Sequence, residues 1–378
     1  MDARPTILFA GGGTGGHIFP ALAIAEEVTR LVPAAECRFL VSDRPLDAEI
    51  LRKQSVANKP AQFTAIPARP FGLSPKVLYR FVSNWGLSVR TSRDFVRAGM
   101  SQGPCVVVAM GGFVAAPAAQ AARVEKVPVL LVNLDAVPGR ANRWIAGRAA
   151  QVVTSAPVDP AFASWSVIPP IVRAGAVSTQ PKADCRRALG LDPGRPVLLV
   201  TGGSQGAASI NEFLAAFAAS PEFGPTLAGW QIIHQTGRGE EAVRAAYASA
   251  GVPALVAPFF DHMGNCWGAA DLAVCRSGAG NVGEVWASRV PAIFLPYPYH
   301  KDQHQKFNAG ALVKSGGAIL CEDRIAAAEN SASVAPMLAE LLRDDLRRTS
   351  MRASLTALGA ADGAHRVAQR LATMVAGG

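Results

Sequence analysis

Tyrosine is scarce, with four in 378 residues, and no Lys/Arg-rich run is interleaved with aromatic side chains. A nucleic-acid surface built on stacking and phosphate contacts is therefore disfavoured. The six cysteines, Cys37, Cys105, Cys185, Cys266, Cys275 and Cys321, are scattered and form no CxxC pair. That excludes a disulfide framework and a zinc ribbon, and reads as reduced, buried thiols in a cytosolic protein. No apolar run approaches the ~20 residues that span a bilayer. No signal core precedes the first strand-like segment, so any membrane contact is expected to be peripheral. HExxH and Asp-x-Asp are missing too, which removes two common ways of holding a metal. Charged residues make up only 17%, yet the balance is +9. That excess of base suits phosphates or an acidic membrane surface.

What is present is a βαβ rhythm. The runs "TILFA", "CRFLVS", "CVVVAM", "VLLVN" and "QVVTSA" read as buried parallel strands, separated by amphipathic stretches such as residues 21–31. The pattern pauses over residues 168–181, rich in proline and small residues, which reads as a linker. A second series follows: "PVLLVTGGS", "WQIIHQTG", "ALVAPF", "LAVCRSG", "PAIFLPYP" and "GAIL". The expectation is α/β, with two doubly wound parallel-sheet domains over residues 1–168 and 169–360. A tail helix, 361–378, is expected to pack back on the first.

Three glycine loops follow strands. In "LFAGGGTGGHIFPALAIAEEV", Gly11, Gly13 and Gly16 fit GxGxxG, and a helix is expected from about Ile18. Glycines let a phosphate approach the backbone, and the helix N-terminus offers free N–H groups. Asp43, after the second strand, stands where a dinucleotide fold holds a ribose, so an NAD-dependent oxidoreductase is a rival reading. Tight packing of the turn is the bland one. His17 counts against the redox reading, because a dinucleotide turn has no use for an imidazole. A base beside an anionic acceptor does; a capping or packing role is the alternative.

The second half repeats the device. In "VTGGSQGAASIN", Ser204 and Gln205 sit inside a glycine loop. In "VCRSGAGNVGEVWAS", backbone donors at the helix start suit a diphosphate. Glu284, one turn in, could accept both hydroxyls of a ribose, or be a solvated helix-face carboxylate. "PYPYHKDQHQKFNAG" crowds His300, Asp302, His304 and Gln305 at a strand's C-terminal end, where α/β sheets bind ligands. His300 and His304 lack the third ligand a metal would need.

One further helix carries a surface signal. Leu78, Val82, Trp85 and Val89 share a face, with Arg90, Arg93 and Arg97 on one flank. An apolar stripe beside arginines fits a helix lying on an anionic bilayer, and equally an ordinary core helix with solvated arginines.

Taken together, "GGGTGGHIFPALAIA", "MGGF", "GGSQGA", "CRSGAG…GE" and "HKDQHQKFNA" resemble, in order and spacing, the lipid II-forming N-acetylglucosamine transferases of bacterial cell-wall synthesis, the MurG family. The resemblance runs from Leu8 to about Ala309. It implies a GT-B fold, two Rossmann-like domains facing across a cleft. It implies inverting transfer of N-acetylglucosamine from UDP-N-acetylglucosamine to the 4-hydroxyl of lipid I, without a cofactor or metal, at the cytoplasmic face of the plasma membrane. By the same resemblance, His17 is the general base; should another residue serve, Asp135 is the next candidate to test. Thr14, Gly15 and Gly16 form the N-domain loop, and Asn142 keeps a family-like place. Arg173 and Ser204 contact phosphate, and Gln205 lies in the same loop as Ser204. The Phe260 backbone meets the uracil. Ala279, Gly280, Asn281, Val282, Gly283 and Glu284 hold diphosphate and ribose, and His304 and Gln305 contact the sugar.

Three departures border the donor. Val132-Asn133-Leu134-Asp135 replaces the family's His-Glu-Gln-Asn, Asn281 stands where threonine is usual, and His304 replaces a glutamine. Another GT-B transferase, a nucleotide-sugar epimerase and a non-catalytic membrane scaffold are the remaining alternatives.

Overall fold

Runs of apolar, largely β-branched residues bounded by glycine or proline become strands buried on both faces. In the computed structural model, which describes residues 4–13, 15–72, 74–203 and 206–377, these strands form two parallel sheets. The first sheet contains β1 (Thr6–Ala10), β2 (Glu36–Ser42), β5 (Gln62–Ile66), β6 (Cys105–Ala109), β7 (Val129–Asn133), β8 (Gln151–Thr154) and β9 (Ser166–Val167). Its order is β5-β2-β1-β6-β7-β8-β9. A short antiparallel pair, β3 (Ser55–Val56) and β4 (Lys59–Pro60), stands apart from it. β1, β6 and β7 are buried at every residue.

The second sheet has β10 (Val197–Thr201), β11 (Gln231–Gln235), β12 (Ala254–Ala257), β13 (Leu272–Cys275), β14 (Ala292–Phe294) and β15 (Ala318–Leu320), ordered β12-β11-β10-β13-β14-β15. Phe213, Phe217 and Tyr247 pack with its strands in one continuous apolar cluster. Each such fully buried aromatic contributes about 1.5–3 kcal/mol through the hydrophobic effect.

Strand order reverses between β1 and β6 in the first sheet and between β10 and β13 in the second. At such a reversal the following helices leave on opposite faces, which opens a crevice at the strands' C-terminal ends. Among the described residues, the loops at these points are residues 11–13 and 110–111 in the first unit, and 202–203, 206–207 and 276–278 in the second. They are the glycine loops.

The chain divides into two compact units, Met1–Arg173 with Asp362–Gly378, and Ala174–Ala361. The first crossing thus lies five residues beyond the expected 168. The last helix, Gly363–Ala376, buries Val367, Ala368, Leu371 and Val375 and packs on the helix Gly15–Leu31. His365 Nδ1 stands 2.9 Å from Glu27 Oε2 across that contact. The opening helix begins at Gly15, ahead of the expected Ile18, and holds Pro20 within it. Lying past the first turn, Pro20 leaves the Gly16 carbonyl without its usual i+4 donor. β5 and β9 have no counterpart among the runs read from sequence. β5 is a half-exposed edge strand of mixed polarity, and β9 has only two residues.

Candidate active site

In the first unit, a buried carboxylate shapes the opening loop. Asp47 Oδ2 accepts the Gly13 N–H at 2.7 Å, the Ser42 hydroxyl at 2.6 Å and the Ser42 N–H at 3.2 Å. A Cβ on Gly12 would lie 2.5 Å from the same oxygen, so the tight turn requires glycine there. Arg44 donates to the Gly13 carbonyl at 3.0 Å.

His17 lies in the first turn of the following helix, with its ring against Gly111 and Gly112. Its Nδ1 is buried and makes no hydrogen bond of ordinary geometry. Burial holds the imidazole below its usual range, opposed by the charge of Asp135, the nearby Gly12 carbonyl and the charge of Asp47. This lowering favours the neutral imidazole, the form able to take a proton.

Gly111 has φ +99°, and a Cβ there would stand 3.0 Å from Asn142 Oδ1 and 3.3 Å from His17 Nε2. The two side chains thus converge over one stretch of backbone. Asn142 Oδ1 is buried without a partner. Its Nδ2 donates to Asn133 Oδ1 at 2.8 Å. Asn133 Nδ2 in turn donates to the Asp135 carbonyl at 2.6 Å and to Thr154 Oγ1 at 2.9 Å. This chain of bonds fixes which way the amide points, leaving its acceptor beside the imidazole.

In the second unit, Gly206 closes against backbone: a Cβ there would lie 2.0 Å from the Thr236 carbonyl oxygen. At Gly203, Gly278 and Gly280, by contrast, no described residue other than the chain neighbours and the helix's own backbone comes within 4 Å of the built Cβ. Bare backbone in open space at a helix start suits a phosphate. Gln235, buried at the end of β11, ties two loops together. Its Nε2 donates to the Gly203 carbonyl at 3.0 Å, and its Oε1 accepts the Phe260 N–H at 3.1 Å.

Ala279, Gly280, Asn281, Val282, Gly283 and Glu284 run through the first turn and a half of the helix Ala279–Ser288. Asn281 Nδ2 folds back to the Arg276 carbonyl at 3.0 Å. Glu284 Oε2 accepts the Trp267 indole N–H at 2.7 Å. Burial pushes this carboxyl up to about 7, against the lowering effect of that bond. Arg276 is buried against Asp323 at 2.5 Å and donates to Ser209 Oγ at 2.9 Å, which pins the loop after β13. His304 Nδ1 lies 2.7 Å from Asp302, and its ring stacks 4.3 Å from that of His300. Gln305 Oε1 accepts the Tyr297 N–H at 2.9 Å. Among the described residues, no group of three or more His, Cys, Asp or Glu is placed to hold a metal ion.

Two family models match the two halves: the glycosyltransferase family 28 N-terminal domain over residues 7–154 and its C-terminal domain over residues 197–367. A UDP-N-acetylglucosamine–N-acetylmuramyl-(pentapeptide) pyrophosphoryl-undecaprenol N-acetylglucosamine transferase from Nocardioides sp. is 35% identical over 323 residues, 84% of each chain. The transferase of the same name from Frankia casuarinae is 36% identical over 335 residues, 87% of this chain and 84% of the relative. The crystal structure of Acinetobacter baumannii MurG matches 98% of this chain and 99% of its own, with TM-score 0.70 and 26% identity. The chain belongs to this family of glycosyltransferases. Its two doubly wound parallel-sheet units are those of the GT-B class.

Within this glycosyltransferase, the structure groups His17, Gly15, Gly16 and Asn142 at the end of the first sheet, with Asp135 charged nearby. It groups Phe260, the 279–284 segment and Gly203 around loops of the second sheet. Thr14, Ser204 and Gln205 lie outside the described residues. Arg173 is engaged elsewhere in the first unit, donating to Glu26 at 2.7 Å and to Gln54 at 2.7 Å. Asp43, the candidate ribose carboxylate of the redox reading, is bound by Arg69 at 2.6 Å. Asp47 and Gln235 escaped sequence reasoning, and Asn133 entered it only as a departure from the family's pattern. Each acts through tertiary bonds, and only the polar Asn133 inside an apolar strand left a trace in sequence.

Proposed function

We propose that this glycosyltransferase moves N-acetylglucosamine from UDP-N-acetylglucosamine to the 4-hydroxyl of the muramyl sugar of lipid I, with inversion. The observation that carries the residue assignment is the His17 imidazole, held below its usual range, converging with Asn142 on the β1/β6 switch point. His17 Nε2 takes the proton of the acceptor hydroxyl as its oxygen forms the new bond to the anomeric carbon. The bond from that carbon to the β-phosphate oxygen breaks on the opposite face, and UDP leaves with the electron pair. Asn142 Oδ1 accepts a hydrogen bond from the acceptor and orients it. Backbone N–H groups at the start of the helix Ala279–Ser288 stabilise the charge growing on the departing diphosphate. Glu284 accepts the uridine ribose hydroxyls, and the Phe260 backbone faces the base. His304 and Gln305 meet the donor sugar. Arg173 and Ser204 contact phosphate groups in this reading, which for Arg173 requires exchange of its Glu26 pair, and Thr14 and Gln205 belong to the substrate-binding glycine loops.

The acceptor's polyprenyl chain calls for a membrane surface. Phe71, Leu78, Tyr79 and Val82 are exposed at the start of the helix Pro75–Met100, beside exposed Lys76 and Arg80. Apolar side chains flanked by bases suit insertion among anionic headgroups. The arginine flank shifts from that read in sequence, because Arg93 and Arg97 both pair with Glu125, at 2.7 and 3.1 Å. Among the described residues no helix is long and apolar enough to cross a membrane, so the contact proposed is peripheral, at the cytoplasmic face.

Product analysis tests the reaction. Labelled UDP-N-acetylglucosamine with lipid I should give a disaccharide lipid and UDP in equal amounts. An epimerised nucleotide sugar, or a reduced nicotinamide on incubation with NAD, would overturn it.

A further inference from the structure

The proposed chemistry gives no task to the buried indole under the donor loop. Trp267 lies in the helix Met263–Ala269 and is 1% exposed. Its ring packs in the apolar cluster with Cys266, Cys275, Val282 and Val285. Its one polar atom, Nε1, is spent on Glu284 Oε2 at 2.7 Å. The bond links one turn of the helix Ala279–Ser288 to a different element of the same unit. No other side chain among the described residues donates to Glu284, so this N–H alone sets the rotation of the carboxyl group.

We infer that Trp267 is a positioning residue for the donor nucleoside: its indole N–H holds one oxygen of Glu284 so that the other is presented, as an acceptor, to the ribose diol. The inference rests on the reading that Glu284 takes the ribose. An indole N–H can only donate. It therefore favours the carboxylate over the acid and occupies a single oxygen, leaving the second lone-pair set for a ligand. The titratable groups facing Glu284 are the thiols of Cys266, on the same helix as the indole, and Cys275, at the end of β13. Burial pushes both up, so they stay neutral and do not compete for the role. Without the indole, burial alone would act on a carboxyl that already sits near 7, and the acid would predominate at neutral pH. An acid offers the diol one acceptor fewer and an unwanted donor.

The test is Trp267→Phe, which removes the N–H and keeps an aromatic ring. UDP-N-acetylglucosamine suits it, because its diphosphate diester does not titrate near neutrality. Steady-state kinetics and calorimetry from pH 5.5 to 9 should show the donor KM raised roughly tenfold at pH 7, the loss of one hydrogen bond to a charged group. The kcat should stay within about twofold, and the pH midpoint of donor affinity should move to the alkaline side. On a Glu284→Gln background, Trp267→Phe should add almost nothing, since the two changes remove one interaction. If Trp267→Phe does not fold, replacement of Trp267 by benzothienylalanine keeps the bicyclic shape, puts sulfur in place of N–H, and carries the same expectations. An unchanged KM and pH midpoint in either folded variant overturns the inference, as does a full Trp267→Phe effect on the Glu284→Gln background. If Glu284→Gln itself binds the donor like the parent, the ribose reading has failed, and this inference falls with it. If Glu284→Gln weakens binding while the Trp267 variants do not, the ribose reading stands and only the role of Trp267 is refuted.

Discussion

The Asp47 carboxylate accepts the Gly13 N–H at 2.7 Å, so a residue 34 positions down the chain sets the shape of the loop that leads into His17. Asp47 is 0% exposed, and Ser42 supplies its other two bonds. Asp47→Ala strands three donors in the interior. It should destabilise the first unit by about 3 kcal/mol, and His17-dependent turnover should fall with it. Asp47→Asn, which keeps one acceptor oxygen, should lose less. Urea unfolding monitored alongside kcat checks both; equal stability of Asp47→Ala and the parent would contradict the role.

Gly111 answers a different constraint. Its φ of +99° strains any side chain placed there, and a built Cβ 3.0 Å from Asn142 Oδ1 would make that amide give way. Gly111→Ala should cost about 1–3 kcal/mol in strain and push the amide and the imidazole apart. The expected signature is a turnover loss larger than the stability loss, with donor binding intact by calorimetry. A fully active Gly111→Ala enzyme would show that the convergence has no catalytic meaning.

Glu284 predicts a pH dependence. Its carboxyl is raised from 4.5 to about 7 in the folded protein, so its contribution to stability is present below about 4.5 and is lost as pH rises through about 7. In the proposed reading the ribose hydroxyls bind the carboxylate, so the affinity for UDP-N-acetylglucosamine should instead rise between pH 6 and 8. Glu284→Gln should flatten both dependences and weaken the donor by roughly 1.5–3 kcal/mol at pH 8. Melting curves and calorimetry across this range check the two slopes, which have opposite signs.

The proposed membrane face can be dissected by residue class. Leu78, Tyr79 and Val82→Ser together should abolish sedimentation with anionic vesicles while leaving the fold intact, because all three are exposed. Lys76 and Arg80→Glu should remove the salt-sensitive part of binding. Arg97→Glu should act chiefly on stability, through repulsion from Glu125. Equal losses of vesicle binding from the Arg80 and Arg97 changes would contradict this division.

The sheets were legible in sequence because parallel strands buried on both faces read as uninterrupted apolar runs, as in β1, β6, β7 and β10. The two-residue β9 has too little pattern to read, and β5 alternates only weakly at an edge. His17, Glu284 and the glycine loops stood out because unusual residues followed strands at fixed offsets. Their protonation did not, since the lowered imidazole of His17 and the raised carboxyl of Glu284 both come from burial by distant residues. Asp47 and Gln235 look like ordinary polar residues until folding places their bonds. Arg93 and Arg97 read as free bases because Glu125, their partner, lies just past the end of the helix Gly112–Val124, about 30 residues further along the chain.

The central claim is that His17 takes the acceptor proton, and His17→Ala tests it most directly. Its kcat should be measured with UDP-N-acetylglucosamine and a soluble lipid I analogue from pH 5 to 9, with donor affinity measured by calorimetry on the same protein. The account predicts donor affinity near that of the parent, because the proposed donor contacts lie mainly in the second unit, and turnover lower by ~10²–10⁴. It also predicts that the parent's acid limb, set below the usual histidine range by burial, disappears in the variant. A folded His17→Ala enzyme that keeps most of its turnover and the parent's acid limb would contradict the claim, and would pass the role of base to Asp135.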